Sequence, residues 1–258
     1  MNSFNFELSK ILKRKFPLGL LIASTILFPS LVKITSYLNI IKDKVQEDFF
    51  IGNVSFGIIA YSQTYFFLPV WIILLIGYEL ANGHVNRVVF IRSRNFYFSS
   101  KLIFCFVVAT YFSLLGLLTL FISIKTSPFP NLEDSLLFYF QFFFQMLLSS
   151  FSFSILLMCL VFLIGSPLKT FVIYFGWSFI EGTMFLFVDA KYNIQLKWLP
   201  LHLVRTLYAS NGEAQVANYH NPIVDNFLLI LMPIGFILSI TLLTYYHFSK
   251  SNLPHLSD

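Results

Sequence analysis

Six residues between two strongly apolar runs carry the chain's most suggestive chemistry: Glu79, Gly83, Arg87, Arg92, Arg94 and Lys101. One acid and four cations in that stretch make a basic loop, and Val88, Val89, Phe90 and Ile91 sit inside it. Charge interleaved with apolar side chains suits a short helix pressed against a partner protein or against lipid headgroups. Cations between two membrane-length runs also mark a cytoplasmic loop. A second candidate is Glu181 in WSFIEGTMFLF, the lone acid in its apolar run. An ionisable group inside a span is costly and marks a pathway, a gate or a polar partner. Gln63, Gln141 and Gln145 are further polar groups within apolar runs, and the last two share a helix face with Ser149 and Ser152. Such a stripe favours helix neighbours over lipid.

Catalysis finds no support in these residues. No phosphate-binding G-x-x-x-x-G-K-[ST], no H-E-x-x-H, no C-x-x-C and no G-x-S-x-G occurs. The five histidines are scattered without metal-ligand spacing, so neither a catalytic nor a metal site is expected. Cys105 and Cys159 both fall in apolar runs and read as small buried residues rather than a disulfide.

The elements that must hold these residues follow from composition. The chain has 258 residues, 57% of them hydrophobic and only 11% charged, with 33 Phe and a mean hydropathy of +0.76. Soluble proteins carry about 25% charged residues, so the chain is expected to be an all-α integral membrane protein. The net charge of +5 belongs to loops and suggests no nucleic-acid partner.

Residues 1–15 read as an amphipathic interfacial helix, with Phe4, Leu8, Ile11 and Leu12 on one side and Glu7, Lys10, Lys13 and Arg14 on the other. Six transmembrane helices follow within residues 16–248. Their expected extents are Phe16 to Leu31 or Ile41, Ser55–Leu80 with Pro69 in the middle, Leu102–Ile124, Ser135–Ile164, Thr170–Val188 and Val224–Phe248. Residues 79–101 form the basic loop, 189–223 an outer segment, and 249–258 a cytoplasmic tail. In this arrangement Lys10, Lys13, Arg14, Lys15, Arg87, Arg92, Arg94, Lys101, Lys169 and Lys250 share one side. Lys33, Lys42, Lys44, Lys125, Lys191, Lys197 and Arg205 share the other. The positive-inside rule then sets both termini in the cytoplasm of a multi-pass cell (inner) membrane protein.

The order E-x-x-x-G at Glu79–Gly83, Ser93-Arg94 and the helix-opening Lys101 resembles the loop between spans two and three of permease subunits of ABC transporters of the second exporter class. His84 stands where that family commonly has Thr or Ser. An amphipathic first helix, six spans and W-L-P-L-H after the fifth match the family's layout. The resemblance implies an exporter subunit whose coupling helix docks on a separate ABC ATPase, and that chain would hold ATP and Mg. It also implies a second permease copy, or a homologous permease, beside this one. Two readings from the residues alone remain: a secondary transporter or channel, and a structural or assembly protein whose basic loop only orients it.

Overall fold

A computed structural model describes residues 3–43, 59, 62–125, 136–184 and 227–250. The expected outer loop 42–54, beyond Asp43, and the start of span two, Ile59 apart, lie outside the described residues. So do the Pro-rich turn 126–135, the outer segment 189–223 and the tail beyond 250.

The described residues are all-helical and hold no strand. Helix α1 is Ser3–Lys13 and α2 is Lys15–Asp43, so the helix runs through the longer of the two extents expected for the first span. A π-helical turn at Gln63–Phe67 leads into α3, Leu68–Ala81. Helix α4 is His84–Ile91, α5 is Arg94–Lys125, α6 is Leu136–Ile164, α7 is Pro167–Met184 and α8 is Phe227–Lys250.

Four segments are long and apolar enough to cross a bilayer: Lys15–Ile34, Arg94–Ile122, Phe142–Ile164 and Leu231–Lys250. Helices α3 and α4, bent at 75°, make a fifth only if they count as one broken span. These helices are consistent with a multi-pass membrane protein. Helix α7 is long enough, but Lys169 and Glu181 leave it short of the apolarity of the others. The outer faces agree with a lipid environment, for Ile26 of α2, Phe179 of α7 and Leu242 and Leu243 of α8 are exposed. A protein in water would cover such faces.

Two sequence expectations shift here. Span three does not begin at Leu102: helix starts at Arg94, where the Ser93 hydroxyl accepts the Phe96 N–H at 3.1 Å as an N-cap. Pro69 is not in the middle of a regular helix either. The Leu68 N–H reaches back five residues to the Gln63 carbonyl, so the turn before the proline is widened. A proline ring crowds the carbonyl four residues earlier, and a π turn relieves that contact.

The long helices alternate in direction. Helix α2 leaves the end where α1 lies, and α3 returns to it, because Lys10 of α1 meets Glu79 of α3. Gly77 near the end of α3 abuts Pro167 at the start of α7; a Cβ on Gly77 would come within 2.9 Å of the proline ring. The end of α8 returns to the same place, where its carbonyls meet Arg94. One end of the bundle therefore gathers α1, α4, the α6–α7 turn and the end of α8.

Aromatic rings fill the core at two levels. Phe28, Phe67, Trp71 and Phe112 pack toward the middle, edge to face except for the tilted pair Phe67–Phe112. Tyr97, Phe98, Phe162 and Phe248 pack near the gathered end. Ring pairs at such distances add to simple area burial, which is how a chain rich in Phe specifies one packing.

Candidate functional site: a buried ion cluster beside a bent basic helix

The gathered end carries a neutral cluster of four charges. Lys101 Nζ of α5 lies 2.9 Å from Glu7 Oε1 of α1 and 2.7 Å from Glu79 Oε2 of α3. Lys10 Nζ of α1 lies 3.0 Å from Glu79 Oε1 and 3.5 Å from Glu7 Oε1. The Ser100 hydroxyl donates to Glu7 at 2.9 Å and the Tyr97 hydroxyl to Glu79 at 3.3 Å. Lys101 is 1% exposed and Glu7 2%. Charges this deep are tolerable only when paired and hydrogen-bonded, and here two carboxylates meet two ammonium groups. Burial, together with the nearby Lys101 ammonium, holds Lys10 below the ordinary lysine range despite the opposing pull of both carboxylates.

Glu79 and Lys101, expected on the coupling loop, are thus brought together, but inside the bundle. Glu7 and Lys10, expected on the wet face of the first helix, turn inward to meet them, while Lys13 and Arg14 stay exposed. Phe6 stacks edge-on against Phe96 and lies under the Lys10 ammonium. The apolar face expected at Phe4, Leu8, Ile11 and Leu12 lies outside the described side chains.

Between α3 and α5 the chain makes a sharp turn. Gly83 adopts φ 68° and ψ 8°, the left-handed region where a Cβ is penalised. Its N–H bonds the Leu80 carbonyl and its own carbonyl accepts from Asn86, so the turn ends α3 and starts α4. Helix α4 leaves with Phe90 85% exposed and Ile91 74% exposed. Val85 on its other side is buried against the bundle. Arg92 is exposed over the Phe96 ring; the Arg87 side chain lies outside the described residues.

Arg94 does not face outward as a docking cation would. Its guanidinium donates to the last carbonyls of α8, Phe248 O at 3.1 Å and Ser249 O. Those carbonyls lack helical partners, and a cation is favoured there by the helix dipole. Tyr245 of α8 adds a hydrogen bond to Asn95 at 2.8 Å.

Within the bundle, Gln63 is fully buried and satisfied. Its Nε2 donates to the Phe112 carbonyl at 2.8 Å, and its Oε1 accepts from Ser150 at 2.8 Å. Gly116 leaves the room, since a Cβ there would stand 3.2 Å from Nε2. The expected stripe on α6 contributes less to this joint. Ser149 bonds its own Gln145 carbonyl, Ser152 is buried, and the Gln141 side chain lies outside the described residues. Glu181 is 2% exposed and is engaged within the protein. Cys105 and Cys159 are free and buried.

Sequence reasoning missed Glu7, Lys10, Tyr97, Ser100 and Ser150 as partners. The signal for Glu7 was its place beside a lysine on an otherwise basic helix, which made it the acid available to match a buried cation.

A cleft of about 410 Å3 opens beside the cluster, lined by Lys10, Arg14, Phe16, Leu75 and Lys101 among others. No group of three or more His, Cys, Asp or Glu residues among the described residues has the geometry to hold a metal ion. The arrangement can position helices and present a surface. No family model matches the chain, and neither does any curated protein or solved structure.

Proposed function

We propose that this chain is the membrane subunit of an ATP-driven exporter of the ABC type-2 class, and that α4 is the coupling helix for a separate ATPase. The observation that carries the reading is α4 itself: a short helix turned 75° from α3 by Gly83, with Phe90 and Ile91 exposed beside the exposed Arg92. Two large apolar groups flanked by a cation suit a partner groove with an apolar floor and an acidic rim. In this reading α2, the α3 segment, α5, α6, α7 and α8 are the six spans and α1 is interfacial. Alternating helix direction supports that count, and the cations Lys13, Arg14, Lys15, Arg92, Arg94, Lys169 and Lys250 at the gathered end support a cytoplasmic placement of both termini. The exposed apolar face of α7 leaves room for a second permease. ATP and Mg belong to the ATPase, and Glu181, Gln63, Gln141 and Gln145 are the candidate pathway or gate residues.

The test is to purify the chain with its ATPase and to compare it with the double variant Arg87→Glu, Arg92→Glu. Each reversal sets a like charge against an acidic rim, so ATPase recovery and ATP hydrolysis should fall together while the permease still inserts. Normal recovery and normal hydrolysis in the variant refute the docking role. Substrate movement by the chain alone in proteoliposomes, with no ATPase, supports a secondary transporter instead.

A further inference from the structure

We infer that the cleft between α1, α2, α3 and α5 is a binding site for an anionic phospholipid of the surrounding leaflet. Its lining divides into a charged end and an apolar wall. Lys10 and Lys101 meet Glu7 and Glu79 at one end, Arg14 lines the cleft beside them, and Phe16, Pro17, Leu74, Leu75 and Phe104 form the wall. Three cations against two carboxylates leave one positive charge unmatched. That charge is assigned to a particular residue, because Lys10 and Lys101 are ion-paired with the carboxylates. Arg14 makes no ion pair among the described residues and stands at the exposed junction of α1 and α2.

An arginine at the mouth suits a phosphate, to which its planar fork can donate two hydrogen bonds. The wall continues away from the charges along one turn of α3, which suits the first methylenes of an acyl chain. The volume is that of a small-molecule pocket, so it seats the head and the start of one tail and leaves the rest in the bilayer. A zwitterionic lipid carries its own cation beside the phosphate and gains less from one unmatched charge. Lys13 and Lys15 flank Arg14 and are exposed, so they raise the local concentration of anionic lipid without lining the cleft.

The full-length chain, purified in detergent and stripped of lipid, is titrated with phosphatidylglycerol or phosphatidylcholine and followed by native mass spectrometry. Phosphatidylglycerol should be retained preferentially. Arg14→Gln should lower its retention about fivefold, the scale of one basic residue near an anionic surface, while Arg14→Lys keeps most of it. Lys13→Gln should change it little, and Leu75→Trp, which fills the wall, should lower it whatever the charge at residue 14. Equal losses from Lys13→Gln and Arg14→Gln overturn the site in favour of diffuse attraction. Equal retention of the two lipids, or displacement by inorganic phosphate at the same concentration as by lipid, also overturns it. If Arg14→Gln lowers the unfolding midpoint, Leu75→Trp decides alone, and unchanged retention there refutes the proposal. No ATPase enters the measurement, so its failure leaves the coupling role of α4 standing.

Discussion

Replacing Lys101 by methionine isolates the energetic weight of the ion cluster. The substitution keeps the length and apolar stem of the side chain and removes only the ammonium. In the native protein that ammonium stands 2.7 Å from Glu79 and 2.9 Å from Glu7. Without it the two carboxylates share Lys10 alone, whose approach to Glu7 is 3.5 Å. One buried negative charge is then uncompensated, a change that costs about 3–5 kcal/mol. Lys10→Met leaves the same formal imbalance at a more open position, where losing hydrogen bonds to charged groups costs roughly 1.5–3 kcal/mol. Lys169→Met, at an exposed residue, should cost under about 0.5 kcal/mol. Equilibrium unfolding of the purified chain in mixed micelles with rising SDS measures all three. A double-mutant cycle of Lys101→Met with Glu79→Gln should return a coupling of about 0.5–3 kcal/mol, because the pair Glu7–Lys10 remains neutral. Equal losses at Lys101 and Lys169, or a coupling of zero, would refute the cluster as a structural joint.

Gln63→Leu should destabilise the bundle by about 0.5–1.5 kcal/mol, since it removes the bond from Gln63 to the Phe112 carbonyl and the bond from Ser150 to Gln63; the same unfolding assay reads the loss, and a neutral result would mean that the cost of burying the amide offsets both bonds. Gly83→Val should cost about 1–2 kcal/mol and Gly83→Asn markedly less, because asparagine tolerates the left-handed conformation at φ 68°. Equal effects of the two would show that the side chain, not the backbone angle, matters there.

Apolar runs told the long helices apart because 20 or so such residues have few other fates. The end of α6 at Ile164 was legible to the residue, since Gly165 and Pro167 close it and open the next helix. The charged stretch Arg94–Lys101 misled for a physical reason. Its polarity reads as loop, yet Ser93 caps a helix there and Lys101 finds two carboxylates from other helices. Nothing local to Lys101 reveals those partners, which stand 94 and 22 positions away in the chain. Glu7 misled in the same way, because a charged helix face reads as wet until a buried counter-charge claims it. Helix α7 was expected as the fifth span, but Lys169 and Glu181 dilute its short apolar run, and Leu168, Val172, Phe179 and Ile180 of that run are exposed.

The bend at Gly83 gives α4 mechanical properties that its composition does not. Eight residues make a rod about 12 Å long, set at 75° to the helix before it. A push across that rod therefore acts as torque on its roots rather than as compression along them. Tilting it by about 10° would carry its tip some 2 Å, estimated from the same rod length. The far root is not loose, because Arg94 and Asn95 tie the start of α5 to the end of α8. Displacement at the tip would reach the last helix of the chain through those bonds, while the ion cluster anchors the near root against α1.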